Sequence, residues 1–248
     1  MLPSILQTAL RDIFRDLGRT ARILFVPAIF CFAAFLGLCV WLPQTMSVDL
    51  VDFLTGIPLS IMGLWIAVSW HRYALADLAK PLSRFGFIGR CGFYLLVGIV
   101  ICLAVFICSI PFQMLAKAAF FEADSVVLTA FAIAISALCL GMIGLRLAIL
   151  LPAVALGPTT DSFRMMWRRT KKMWLPLCGI VLIMGLGFGL VTGGILGTDV
   201  LLDLVFTPSS LPWDIARATV EIFAQLLITL GWVALLSSLY RHVYDRNS

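Results

Sequence analysis

Long apolar runs, separated by short polar stretches, extend over almost the whole chain. The runs are helical in length and lie at about residues 21–42, 57–75, 91–112, 125–156, 174–195 and 221–240. About 20 apolar residues suffice for a transmembrane helix, and the runs do not show the apolar–polar alternation that marks a membrane β-strand. We therefore predict an all-α integral membrane bundle of six transmembrane helices, forming a single polytopic membrane domain over residues 1–248.

The first twenty residues have the pattern of an amphipathic helix. Apolar residues from Leu2 to Leu17 recur on one helical face, whereas Arg11, Arg15 and Arg19 lie largely on the other. Such a helix either lies in the membrane interface with its arginines toward lipid phosphates, or packs as a cytoplasmic element on the bundle. We predict an interfacial helix over this stretch, residues 1–20.

A second amphipathic stretch, residues 159–173, separates the fourth and fifth apolar runs and carries five positive charges. Its pattern predicts a basic interfacial helix, with Phe163, Met166 and Trp167 turned toward lipid. Aromatic residues at its ends are typical of the membrane–water boundary. The candidate lipid-contacting residues of this stretch are Arg164, Trp167, Arg168, Lys171, Lys172 and Trp174.

The fourth apolar run, residues 125–156, is too long for a straight crossing. As one helix it would measure ~46 Å, against ~30 Å of hydrocarbon, so it must tilt strongly or kink near Pro152 with its last turns at the interface. Its single charge is Arg146. This arginine either extends to the inner headgroups or faces the bundle interior, where Asp77 is the nearest acid on the same side. We count Arg146 and Pro152 as candidate intramembrane or lipid-contacting residues.

Four glycines recur at every fourth position in the fifth run and therefore lie on one helical face: Gly185, Gly189, Gly193 and Gly197. Small residues on one face of a membrane helix allow a neighbouring helix to approach closely. We predict that this face packs against another helix of the same chain. A seam between two copies of the chain, in a homo-oligomer, is the alternative.

Composition agrees with a membrane protein and points away from catalysis. The chain is 62% hydrophobic and 12% charged, whereas soluble domains are ~45–50% apolar and ~25% charged. Its seven cysteines stand singly in apolar runs, and its histidines are only His71 and His242. No nucleophile–base pair, paired carboxylate or phosphate-binding loop stands out. We therefore expect a protein that is not an enzyme and has neither a cofactor nor a metal site.

Positive charge is distributed unevenly between the two sides that six spans define. All but two of the 18 lysines and arginines, Lys117 and Arg217, fall on the side of the termini. Cytoplasmic loops carry such an excess, so we predict both termini on the cytoplasmic side of a bacterial inner membrane. This distribution also explains the net charge without nucleic acid. On the same side, Trp70 and Tyr73 are typical of the aromatic belt, and Arg72 of the headgroup layer.

A short series of residues around the basic stretch resembles a known family. The residues are Arg146, Leu151, Pro152, Ala153, Ser162, Trp167, Thr170 and Trp174. They resemble the core of bacterial polytopic proteins related to the glycerophosphoryl diester phosphodiesterase membrane domain, and the YciC-type inner-membrane proteins. The resemblance covers about residues 130–190. In that family the membrane domain is not the catalytic part, so the resemblance implies a membrane module of undefined activity.

Three classes of function compete. The first is a non-enzymatic module that organises anionic lipid of the bilayer, or an unidentified protein partner, through its basic cytoplasmic face. The second is a small transporter or channel that uses Arg146, Glu221, Gln225 and the glycine face, although the spans hold few acids for ion coupling. The third is an intramembrane enzyme, for which no catalytic pair is apparent. We predict the first.

Overall fold

The computed structural model describes residues 1–41, 48–78, 83–123, 126–157, 163–205 and 211–245. Within these ranges every regular element is helical, so the all-α class predicted from the apolar runs is confirmed. The helices are α1 (Leu2–Arg15), α2 (Leu17–Trp41), α3 (Val48–Ala74), α4 (Arg84–Ala123), α5 (Val126–Ala148), α6 (Leu150–Leu156), α7 (Phe163–Arg169), α8 (Trp174–Val205) and α9 (Leu211–Asp245). A 3-10 turn, Lys171–Met173, joins α7 to α8.

Five of the described helical stretches are long and apolar enough to cross a membrane. They are Leu17–Gly37, Phe85–Met114, Ala132–Leu156, Lys171–Leu202 and Ile215–Asp245. Such a set supports a multi-pass membrane protein. The remaining predicted span, residues 57–75, lies in α3, a helix of 27 residues that is not among the five. The count of six spans therefore stays a prediction.

Helix α9 is the centre of the bundle. In the 18-residue apolar segment that makes α9 a candidate span, 56% of the residues are buried. The corresponding segments of the other four candidate spans are 11–22% buried. Helix α9 packs against α1, α2, α3, α6 and α8. Its last turns bury Leu239, Tyr240 and Val243 in one core cluster, and that cluster also holds Ile5 of α1 and Met166 of α7. The end of the bundle where the N-terminal and basic segments lie is therefore its best-packed region.

The fourth apolar run is broken, and its last part lies inside the protein. Helix α5 ends at Ala148, a turn at Ile149 follows, and α6 begins at Leu150. Pro152 explains the break, since proline has no N–H for the carbonyl of Ala148 and its ring clashes with that carbonyl. The kink is one of the two arrangements predicted for this run, and the placement of its last turns at the interface stays a prediction. Pro152 is buried in α6, together with the four residues that follow it, and is therefore not a lipid-contacting residue.

Helix α1 is attached to the bundle through one side. Ile5 and Ala9 are buried, and the Ser238 hydroxyl of α9 donates a hydrogen bond of 2.8 Å to the carbonyl of Ile5. Of the two arrangements considered for residues 1–20, this contact matches the helix packed on the bundle. Leu10 and Phe14 nevertheless remain more than half exposed. The same helix therefore still offers apolar side chains outside the bundle.

Among the described residues no neighbour packs on the glycine face of α8, so the predicted contact within the chain is wrong. A Cβ built on Gly185, Gly189, Gly193 or Gly197 would meet no atom within 4 Å. The core-facing positions of α8 are Leu177, Ile180 and Met184, and among the described side chains that follow Met184 in this helix none is buried. The four-residue glycine period thus lies on the part of α8 in which no described side chain is buried. A seam between two copies remains a prediction.

Candidate functional site

The basic segment formed by α7 and the 3-10 turn is anchored by three buried side chains. Met166, Thr170 and Met173 are each at most 2% exposed, and their i, i+4, i+7 spacing places them on one side. Met166 therefore faces the protein core, and its predicted orientation toward lipid is wrong. Phe163 belongs to α7, but its side chain lies outside the described set. The exposed basic residues of the segment, which we call the basic rim, are Arg164, Arg168, Lys171 and Lys172.

Exposed aromatic residues accompany the basic rim. Trp167 in α7 is 36% exposed, and Trp174, the first residue of α8, is 59% exposed. Leu175 beside it is also exposed. Tryptophan next to lysine and arginine is the combination found where a protein meets lipid headgroups. The structure thus brings the sequence-predicted residues of this segment together on one surface.

Arg146 joins the end of α5 to the basic segment. Its guanidinium carbon lies 5.0 Å from the ring centroid of Trp167, a cation–π distance. Its Nη2 donates a hydrogen bond of 3.4 Å to the carbonyl of Thr170. The Nε atom is buried and has no hydrogen-bond partner among the described residues. Arg146 therefore positions the segment that carries the basic rim.

Asp77, the acid that the sequence placed nearest to Arg146, pairs with a different arginine. Nη2 of Arg241 in α9 lies 2.8 Å from Oδ1 of Asp77 and donates a second bond of 2.8 Å to the carbonyl of Ala74. These bonds fasten the end of α3 to the end of α9. Nearby, burial raises the pKa of the Asp12 carboxyl of α1, and the positive charge of Arg241 opposes that rise.

Arg72 closes the end of α6, a role that its sequence position did not reveal. Its Nη1 lies 3.2 Å from the carbonyl oxygens of both Ala155 and Leu156. The last carbonyls of a helix lack partners within it, and here both residues are buried, so an arginine donor satisfies them at low cost. Gly157 ends α6 with φ of 138°, a backbone angle that favours glycine.

A buried polar network links α3, α4 and α9 through His71. The ring is fully buried, with Nδ1 2.8 Å from the Ser237 hydroxyl and Nε2 3.1 Å from the Tyr94 hydroxyl. Ser237 donates its proton to the carbonyl of Val233, so Nδ1 must donate to Ser237, and Nε2 accepts from Tyr94. All three side chains are thereby satisfied, and a neutral ring cross-links three helices. Sequence reasoning missed this network because His71 and Ser237 are 166 positions apart.

Comparison of the chain with protein-family models, curated proteins and solved structures finds no match. The resemblance of the region around Arg146 and Trp167 to the phosphodiesterase membrane domain therefore stays a prediction. The features of the structure that bear on function are the basic rim and the buried residues that anchor it.

Proposed function

We propose that this chain is a non-enzymatic multi-pass protein of the bacterial inner membrane whose basic cytoplasmic end organises anionic lipid. One observation carries the proposal. The segment with the basic rim is locked to the core by buried residues of its own and by Arg146, yet it leaves four cationic side chains exposed beside Trp174. Cationic side chains on an anchored segment, next to an interfacial tryptophan, are suited to bind lipid phosphates.

The energetic argument is electrostatic. Each lysine or arginine close to an anionic leaflet contributes about 1 kcal/mol, and the attraction fades within a Debye length of ~8 Å at physiological salt. Because the rim residues are held in place by the protein, little side-chain ordering beyond their own rotamers opposes the interaction. A preference for anionic over zwitterionic lipid that weakens with salt is therefore expected.

Neutralising the basic rim should reduce this preference. In proteoliposomes, electron spin resonance of spin-labelled phosphatidylglycerol and phosphatidylcholine measures the ratio of their association constants with the protein. We expect the Gln variant at all four rim positions to lower this ratio about threefold or more at low salt, and less at high salt. The ratio should fall because the variant loses four positive charges, and the fold should persist because these side chains do not support the core.

A charge-preserving variant is the matched control. Replacing the two rim arginines by lysine and the two rim lysines by arginine alters every side chain but keeps four charges, so the wild-type ratio should persist. A Gln variant that keeps the full preference for phosphatidylglycerol would refute lipid organisation by the rim. In that case the exposed charges would be left for a protein partner.

A further inference from the structure

A polar pocket of about 350 Å³ lies between α2, α3 and α4, at the end of the bundle where α1 packs. It is a separate place from the basic rim. The residues that line it are Arg19, Ile23, Ser69, Arg72, Tyr73 and Phe87. Two guanidinium groups, a serine hydroxyl and a tyrosine in one small pocket form a donor-rich surface, which suits an anion.

Positively charged side chains outnumber negatively charged ones around the pocket. The guanidinium carbon of Arg19 lies 5.1 Å from the ring centroid of Tyr73, and Arg90 of α4 is near enough for its charge to act on Arg72. Within the part of the chain that the structure describes, neither Arg19 nor Arg90 forms a salt bridge. The carboxylate of Asp16 accepts the backbone N–H of Arg19 at 3.0 Å and so caps the start of α2. An anion in the pocket would meet the positive charges of Arg19 and Arg90.

An apolar groove lies further along the same seam between α2 and α3, on the far side of the contact between Trp65 and Phe87. Its volume is about 500 Å³, and its walls include Val26, Phe30, Ile61 and Trp65. On α2, positions 19, 23, 26 and 30 advance by three or four residues and thus share one helical face. Eleven residues separate the first and last of these positions, or ~16 Å of helix, about half of a ~30 Å hydrocarbon core. Pocket and groove together have the length of one leaflet.

We propose that this seam binds one anionic glycerophospholipid, with its phosphate in the pocket at Arg19 and Arg72 and an acyl chain in the groove. The arginines select the phosphate because their planar N–H groups match its oxygens. The groove favours a lipid over free phosphate because only a lipid has an acyl chain, which can make van der Waals contacts with the side chains of α2 and α3 there. The proposal goes beyond the basic rim, since it assigns one specific lipid to a defined site.

Native mass spectrometry of the full-length protein in detergent tests the proposal, with added phosphatidylglycerol, phosphatidylcholine or inorganic phosphate as probes. We expect one tightly retained phosphatidylglycerol per chain, weaker retention of phosphatidylcholine, and no displacement by inorganic phosphate. Arg19→Gln should weaken phosphatidylglycerol binding about tenfold, as loss of one charge-assisted contact predicts. Ala34→Phe, which puts a ring into the groove, should weaken it as well.

Arg22→Gln is the matched control, because Arg22 is an exposed arginine of the same helix one turn away and does not line the pocket. It should bind phosphatidylglycerol as the wild type does, and the Gln variant of the basic rim should also retain the single tight lipid. Equal losses for Arg19→Gln and Arg22→Gln would overturn the site. Equal retention of the two lipids, or displacement by inorganic phosphate, would overturn it too. If only the rim variant lost the tight lipid, the proposed function would stand and this site would fall.

Discussion

Replacing His71 with leucine should lower the free energy of unfolding by about 2–3 kcal/mol, because a buried hydroxyl then loses its acceptor. In the native protein Tyr94 donates to the ring, and the ring in turn donates to Ser237. Leucine can fill part of the volume but cannot accept the Tyr94 proton. Thermal or denaturant unfolding of the purified protein in detergent measures the loss.

A second substitution separates lost hydrogen bonding from a simple change of shape. Adding Tyr94→Phe to His71→Leu removes the orphaned hydroxyl, so the double variant should recover part of the lost stability. If the double variant lost as much free energy of unfolding as the two single variants together, His71 and Tyr94 would not act together. The network would then have no role in joining α3, α4 and α9.

Gly141→Leu should destabilise the protein by about 1–3 kcal/mol, which is the usual cost of overpacking a well-filled interior. A Cβ on Gly141 of α5 would lie 2.6 Å from a methyl carbon of Val181 in α8. Valine is branched at Cβ and has few alternative rotamers, so the two helices must separate to make room. The midpoint of unfolding in detergent is the measurement.

Gly189→Leu supplies the comparison within the same chain, since nothing lies within 4 Å of a Cβ at that position. Its unfolding midpoint should stay close to the wild-type value. If the two glycine variants lost stability equally, the contact between α5 and α8 would not be the tight one that the structure shows. If Gly189→Leu alone were harmful, the glycine face would be packed after all, in a seam between copies of the chain.

The helices could be predicted from the sequence because apolar run length and amphipathic period are local properties. The choice of helical neighbours could not. Gly185 and Gly189 show a regular spacing, but spacing alone does not tell which face of α8 meets another helix. The close contacts occur at Gly141 and Gly179, two glycines with no such period. Helix packing depends on tertiary arrangement, which a one-dimensional pattern does not contain.

For the candidate site, too, only the features that depend on local sequence could be predicted. The exposed charge of Arg168 and its neighbours followed from the basic stretch itself. The contacts of Arg146 did not, because Asp77 is engaged by Arg241 and the guanidinium instead meets Trp167 and Thr170. Such pairings depend on distances between segments far apart in the chain.

The most direct test of the account is the side of the membrane on which the basic rim lies. In a background without the seven native cysteines, Arg168→Cys and Lys117→Cys each provide one exposed thiol. A membrane-impermeant maleimide should label the Lys117→Cys variant in intact cells, and the Arg168→Cys variant only after the membrane is opened. Labelling of the Arg168→Cys variant in intact cells would place the rim outside and contradict a cytoplasmic site for anionic lipid.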